Sequence, residues 1–318
     1  MYLESDPRLL YAPHGEPGRF FNPWAPHLTR FRDLLRWKLG RNAYDKSAPP
    51  DVPVVANDGA YLKDKEQPPS VTWVGHATFA VQDGGDVFVT DPHFGPRALI
   101  PRRLTLPGIP LTAIPQDAFA VLSHNHYDHL DEWTVRRLPA TMPWFVPLGL
   151  GSWFRRRGRS RVVELDWWQS APIGSVRVHC VPAQHFSGRS LTDGNRRLWA
   201  GWVVEGATRR FYHAGDTGYF AGFREIGERL GPIDLAALPI GAYDPPSMMQ
   251  FVHLDPEDAV RAAIDLGTRR IVAMHWGTFD LTDEPLDEPP HRFRAAAAAG
   301  GFDADHAWTL DVGETRGW

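Results

Sequence analysis

One cysteine, Cys180, occurs in the 318 residues of this chain. A single thiol excludes an internal disulfide framework and any zinc site assembled from several cysteines. It fits a reducing compartment. No run of about 18 apolar residues occurs, so no membrane-crossing helix is expected. The longest uncharged apolar stretch, residues 138–154, carries Pro139, Pro143 and Pro147, which a continuous helix does not accommodate. The opening Met1-Tyr-Leu-Glu-Ser-Asp carries early acids and no apolar core, so it does not read as a secretory signal. The expected location is the cytoplasm. An excess of positive charge is also missing: the formal net charge is −4, which gives no general attraction to nucleic acid or to an anionic membrane. No internal repeat is seen.

What is present suits a globular protein. Apolar residues make up 43% and charged residues 23%, enough to bury a sizeable core. The 13 tryptophans and 29 prolines are many; large aromatics either line a pocket or fill the core. Residues 1–69 read as an irregular N-terminal extension. One helix is expected at 28–39, where Leu28, Phe31, Leu34, Leu35 and Leu39 recur at helical spacing, before prolines break the chain. From residue 70 to 318 the pattern becomes that of a single domain. Strand-length apolar runs occur at 71–74, 79–82, 87–90, 119–122, 176–181, 198–204, 210–213, 235–240 and 271–274. The early runs are close together, as in antiparallel meanders. Later ones alternate with helical stretches at 132–138, 148–157, 221–230, 256–266 and 291–299, the last two with Asp255 and Pro290 near their starts. Many strands with a few helices predict packed sheets with helices outside, an α/β fold.

The chemistry concentrates in His124-Asn-His-Tyr-Asp-His129. The run follows the predicted strand 119–122 and precedes a helix, a strand-to-helix loop of the kind on which binding residues gather. Imidazole and carboxylate suit Zn, Mn or Fe. One short loop does not wrap four side chains around a single ion. Alternate residues point to opposite sides of extended chain, so His124 and His126 share one direction while Asp128 and His129 reach a second ion. Each ion then needs further ligands. His185, Asp216 and His275 each stand just beyond a predicted strand. A lone histidine in that setting is usually a core or capped residue; a four-ligand cluster changes the reading of all three.

The run resembles the His-x-His-x-Asp-His signature of the metallo-β-lactamase superfamily. Further words resemble the N-acyl-phosphatidylethanolamine-hydrolysing phospholipase D family: Trp73-Val-Gly-His-Ala-Thr, Thr90-Asp-Pro, Glu164-Leu-Asp-Trp-Trp, Ala214-Gly-Asp-Thr-Gly-Tyr, His253-Leu-Asp-Pro-Glu-Asp-Ala-Val and Met274-His-Trp-Gly-Thr-Phe. The resemblance runs in order from about Val71 to His306 and is that of a bacterial-type homologue. It implies an αββα sandwich of two mixed sheets holding two zinc ions, with Mn or Fe as alternatives. One ion would take His124, His126 and His185, the other Asp128, His129 and His275, with Asp216 bridging. Every ligand position is filled, so an inactivated relative is not expected. His76 and Asp91 resemble residues that orient metal ligands; the plainer reading is that they bond to backbone in turns.

The expected reaction is attack by a metal-bridging hydroxide on a phosphodiester, releasing N-acylethanolamine and phosphatidate. Asp128, Asp216 and His253 are the catalytic candidates. Tyr127 and His253 are expected at the substrate, and His213 in the core. Trp144, Phe145, Leu148, Leu150, Trp153 and Phe154 offer an apolar groove for acyl chains. The arginines Arg155, Arg156, Arg157, Arg159 and Arg161 follow, and together the two could seat the protein on the inner face of a membrane. The plainer reading is an amphipathic helix with a solvated charged end. A small phosphodiester substrate and a homodimer stay open. The alternatives are a lactonase, a nuclease (disfavoured by the charge) and a non-catalytic metal-binding scaffold. Two departures from the family stand out. Gln184-His-Phe-Ser-Gly-Arg189 keeps its histidine but differs after it from the mammalian enzyme, and the extension resembles the family only through Phe21-Asn-Pro-Trp24.

Overall fold

Alternation along the early strands decides the layering. In the 70–90 region Val71, Trp73, Phe79, Val81 and Phe88 belong to one buried cluster, while Val74, Ala80, Val87 and Val89 belong to another. Successive side chains of a strand point to opposite faces, so this sheet is covered on both sides. A computed structural model describes residues 6–25, 37, 40, 42, 44–46, 50–190 and 192–318. The helix expected at 28–39 lies, apart from Trp37, outside the described residues.

A short hairpin, β1 (Gly15–Glu16) and β2 (Arg19–Phe20), precedes two seven-stranded mixed sheets. The first sheet contains β3 (Ser70–Gly75), β4 (Thr78–Asp83), β5 (Asp86–Thr90), β6 (Phe119–Val121), β7 (Trp144–Pro147) and β8 (Val162–Leu165). The second contains β9 (Ser170–Ile173), β10 (Val176–Val181), β11 (Gly201–Glu205), β12 (Arg210–His213), β13 (Leu235–Pro239), β14 (Ile271–Met274) and β15 (Ala307–Trp308). The chain then returns to the first sheet as β16 (Thr315–Gly317), antiparallel to β3. The orders are β16-β3-β4-β5-β6-β7-β8 and β15-β14-β13-β12-β11-β10-β9. The expected meander is there: β3, β4 and β5 are antiparallel neighbours, and β5, β6, β7 and β8 then run parallel.

Phe79, Phe88, Phe119, Phe145 and Phe211 fill the space between the sheets, joined by edge and stacked contacts with centroids 5.3–6.2 Å apart. Aromatic pairs at such separations add about 0.5–1.5 kcal/mol each beyond area burial. Two short helices, α1 (Glu132–Val135) and α2 (Gly151–Arg155), cover the outer face of the first sheet. On the second sheet lie α3 (Gly222–Leu230), α5 (Pro256–Leu266) and α6 (Glu288–Ala299), with the single-turn α4 (Pro246–Met249) between them in sequence. The start of α5 has a local cause: Asp255 accepts from the Asp258 N–H, and Pro256 occupies the first helical position. Gly267, at φ 61°, ends it. This is an αββα sandwich.

Of the six residues expected to form an acyl groove, four are core, and only Leu148 and Trp153 are half-buried. Trp144, Phe145, Leu150 and Phe154 are at most 1% exposed. Trp144 is on β7 facing the outer helices and packs on Phe154 at 4.8 Å. An apolar strand between two covered faces reads like a pocket lining in sequence, because both demand the same side chains. Of the following arginines, Arg155 and Arg156 are exposed, but Arg159 is buried and donates to the Leu138 carbonyl at 3.0 Å. The expected helices at 132–138 and 148–157 are single turns, the second starting only after Gly149.

Candidate metal centre

All the predicted ligands stand at one end of the sandwich. β5 and β6 are parallel, and so are β12, β13 and β14; β10 is antiparallel to β11, which is antiparallel to β12. Asp91, the His124 run, His185, Asp216 and His275 each follow the carboxyl end of one of these strands. In open α/β sheets this is where ligands bind. The His124 run folds as a tight turn, with the His129 and Leu130 N–H groups donating to the His126 carbonyl at 3.2 and 2.9 Å. Asp131 then caps α1, accepting from the Trp133 and Thr134 N–H groups.

Two donor groups result. In the first, His126 Nδ1 lies 2.8 Å from His124 Nε2 and 3.2 Å from His185 Nε2. Asp216 Oδ2 is 3.7 and 3.8 Å from the same two Nε2 atoms. In the second, Asp128 Oδ2 lies 3.4 Å from both His129 Nε2 and His275 Nε2, and 3.0 Å from His76 Nε2. Asp216 reaches this group too, 3.1 Å from His129 Nε2 through Oδ2 and 3.1 Å from His275 Nε2 through Oδ1. Within each group the ligand atoms lie inside 4.8 Å of one another. Among the described residues, His129 Nε2, His275 Nε2, Asp216 Oδ1 and His253 Nδ1 are buried without a hydrogen-bond partner. Buried polar atoms are rarely left so. Imidazoles and carboxylates this crowded, with these four atoms unpaired, fit metal ions in both groups.

The electrostatics divide between the groups. Burial pushes His124, His126 and His185 below the usual imidazole range, His126 to about 4, so they are neutral and ready as ligands. Burial also opposes charge on His129 and His275, but there the surrounding carboxylates win: Asp216 and Asp128 hold His275 at about 9 and His129 well above its ordinary value. Asp128 and Asp216 lie well below the carboxylate range; burial works against them and the neighbouring histidines outweigh it. His253 is pushed down to about 4 by burial, its Nδ1 4.0 Å from Asp216 Oδ2.

Two of the ligands, His129 and His185, are held from behind. Asp91 accepts from the Ser123 N–H and hydroxyl, both at 2.6 Å, and lies 2.7 Å from His129 Nδ1 and 2.9 Å from His213 Nε2. His213 is buried as expected, and its bond to Asp91 gives it a part in the site that its sequence neighbours do not signal. His185 Nδ1 lies 2.8 Å from the Val252 carbonyl, and Asn22 donates to the His185 carbonyl at 2.8 Å. His76, Asp91 and His275 all have left-handed backbone, at φ 55°, 33° and 64°. Such conformations cluster at functional sites, and side-chain type alone does not announce them. Tyr127 sits at the rim, its hydroxyl donating to the Arg189 carbonyl at 3.0 Å and its ring under the Arg189 guanidinium at 4.0 Å. Beside it an open cavity of about 650 Å³ is lined by Arg19, Phe186, Ser187, Arg189 and Asn195. Phe186 joins it to the centre, 4.6 Å from the His126 ring.

The family model described as β-lactamase superfamily domain matches residues 87–276. The chain belongs to the metallo-β-lactamase superfamily. The chain is a metal-dependent hydrolase of that superfamily. It is 41% identical, over 76% of its length and 74% of the relative's, to N-acyl-phosphatidylethanolamine-hydrolyzing phospholipase D 1 of Caenorhabditis elegans. It is 34% identical to the mitochondrial N-acyl-phosphatidylethanolamine-hydrolyzing phospholipase D of Saccharomyces cerevisiae, over 77% of this chain and 55% of that one. Among solved structures it is similar to Igni18, a metallo hydrolase from Ignicoccus hospitalis, with a TM-score of 0.59 and 23% identity over 79% of this chain and 98% of that one. That likeness bears on the fold. Among the described residues no helix is long and apolar enough to cross a membrane.

Proposed function

We propose that this metallohydrolase is a two-zinc phosphodiesterase that cleaves N-acyl-phosphatidylethanolamine or a related phospholipid to N-acylethanolamine and phosphatidate. The observation that carries the reading is the position of Asp216, within 3.1 Å of His129 and His275 and 3.7 Å of His124. One carboxylate touching both donor groups is what a paired-metal site needs. The names of the relatives support the substrate class. When bound, two ions would lower the pKa of a water and neutralise charge on the phosphoryl oxygens.

The chain's own residues do the rest. The neutral imidazoles of His124, His126 and His185 and the charged carboxylates of Asp128 and Asp216 hold the centre. Burial of His124, His129, His185 and Asp216 keeps bulk water from their ligand atoms and strengthens every charge contact there. His253 aims Nδ1 at the centre and is in reach of a phosphoryl oxygen or the departing alkoxide. The cavity beside Phe186 and Arg189 takes the diester, with two guanidinium groups, Arg19 and Arg189, on its walls for the phosphate.

The test combines His126→Ala and Asp216→Asn with metal analysis and phosphorus NMR of products from N-acyl-phosphatidylethanolamine vesicles. The parent should hold two zinc ions and release phosphatidate. The variants should lose metal and fall in rate on the order of a hundredfold or more. Full activity in metal-poor protein would sink the paired site. Release of fatty acid and phosphatidylethanolamine would replace the phosphodiesterase with an amidase.

A further inference from the structure

The most exposed large apolar side chains among the described residues are Leu106, at 82%, and Ile100, at 77%. Leu99 at 58% and Leu104 at 45% belong to the same segment. It follows Asp91 at the metal end of the sandwich and forms a small hairpin. Arg97 and Arg102 are bridge partners, the Ala98 N–H donates to the Pro101 carbonyl at 2.9 Å, and the Arg103 N–H donates to the Pro96 carbonyl at 2.9 Å. Leu99 sits at the tip with φ 59°, a conformation that bulky residues adopt only when the surrounding structure imposes it.

The base of the hairpin is tied to the frame of the metal centre. The Gly95 N–H donates to Asp131 at 2.9 Å, two residues past His129. The Leu104 N–H donates to the Thr278 carbonyl at 3.0 Å, three past His275, and the Gly108 N–H to the Val74 carbonyl at 3.0 Å, two before His76. The half-buried Arg103 guanidinium donates to the carbonyls of His93 and Gly95. A segment fixed this firmly has not left its leucines in water for want of order.

The charge of the segment says what meets it. From Pro92 to Gln116 there is no Asp or Glu, and Arg97, Arg102 and Arg103 stand among the leucines, in a chain whose net charge is −4. Arg97 and Arg102 are exposed. Aliphatic tips with an arginine collar match a lipid surface, where the tips enter the acyl boundary and guanidinium groups meet phosphates. Protein interfaces favour aromatic anchors, and leucine is scarce among their energetic centres. We infer that the 96–106 hairpin docks the protein on an anionic phospholipid bilayer and brings the metal end to the lipid surface. The inference deepens the phospholipid reading and rests on it. It also replaces the 144–161 stretch as the membrane-facing element.

The test is flotation of the metal-loaded full chain with phosphatidylcholine vesicles, with and without phosphatidylglycerol, none containing an N-acyl lipid. The parent should bind the anionic vesicles, and salt should weaken the binding. Ile100→Asp with Leu106→Asp should lower partitioning on the order of tenfold or more. Arg97→Gln with Arg102→Gln should abolish the preference for anionic vesicles. Ile100→Ser with Leu106→Ser is the milder pair should the charged one fail to fold. All should hydrolyse soluble bis-(p-nitrophenyl) phosphate at the parent rate. Parent protein that ignores anionic vesicles, or apolar-tip variants that bind them as the parent does, overturns the inference. So does a change from dimer to monomer in these variants on sedimentation, because the face then meets a second copy. Vesicle binding that depends on the hairpin, in protein that releases no phosphatidate, supports docking and removes the phospholipid substrate alone.

Discussion

At Asp91 a single carboxylate answers for three neighbours. It takes the Ser123 N–H and hydroxyl and faces His129 Nδ1 and His213 Nε2, with no exposure to solvent. Fixing Nδ1 turns Nε2 of His129 toward Asp128 and Asp216. Asp91→Asn keeps the shape and one acceptor but loses the charge that holds the imidazole. Metal affinity should fall about 10- to 100-fold, with the fold retained by circular dichroism. Competition with a zinc chelator reads this directly, and affinity equal to the parent's would assign the carboxylate to packing alone. Asp91→Ala should do worse, because each buried donor left unpaired costs about 1–3 kcal/mol.

At the scale of elements, the ends of strands do the positioning, and Gly215 is where this is tightest. It lies between β12 and Asp216 at φ 61°, and a Cβ there would stand 2.6 Å from Ser123 Cβ and 2.9 Å from the Ala200 carbonyl oxygen. Gly215→Ala therefore meets both an unfavourable backbone region, about 1–2 kcal/mol, and overpacking, about 1–3 kcal/mol. The loss should appear in urea unfolding as a lower midpoint with unchanged slope. Metal binding should weaken as well, since the shift moves Asp216. An alanine variant with the parent's midpoint and affinity would show that the turn relaxes freely. Sequence carried much of this level. The runs 176–181, 210–213 and 271–274 are the observed strands β10, β12 and β14, and Pro256–Leu266 is the observed helix α5, because periodicity and the Asp-Pro start act locally. The short strands β8, β9, β15 and β16 carry no such signal; their pairing partners, not their residues, make them strands. Trp144 and Phe154 misled for a related reason. A side chain's type says that it avoids water but not whether protein or lipid replaces the water. The four clustered ligands could be read from spacing. The contacts of Asn22, Ser123 and His213 could not, because each is made across the fold by a residue type common everywhere.

The whole molecule adds a consequence that no element has alone. His76 and the His124 run come from the first sheet, and His185, Asp216 and His275 from the second. Each donor group therefore joins both sheets: His124 and His126 with His185 and Asp216, and Asp128 and His129 with His275. Metal bound there would clamp the sandwich, beside the aromatic layer that holds the sheets from within. Anything that binds only the folded chain stabilises it by RT ln(1 + [L]/Kd), about 2.7 kcal/mol per site at a hundredfold excess over Kd. For domains approaching this size 1 kcal/mol moves the melting temperature by about 2–4 °C, so removing the metal with a chelator should lower it by several degrees. Adding zinc back should restore it. The same treatment should leave Asp216→Asn nearly unmoved, because that carboxylate serves both groups. A melting curve indifferent to chelator in the parent would mean that the core alone sets the spacing of the sheets. The crowding of buried imidazoles and carboxylates from both sheets argues the other way: so many ligand atoms within 4.8 Å of one another are costly to hold together, and a bound ion would offset that cost across the sandwich.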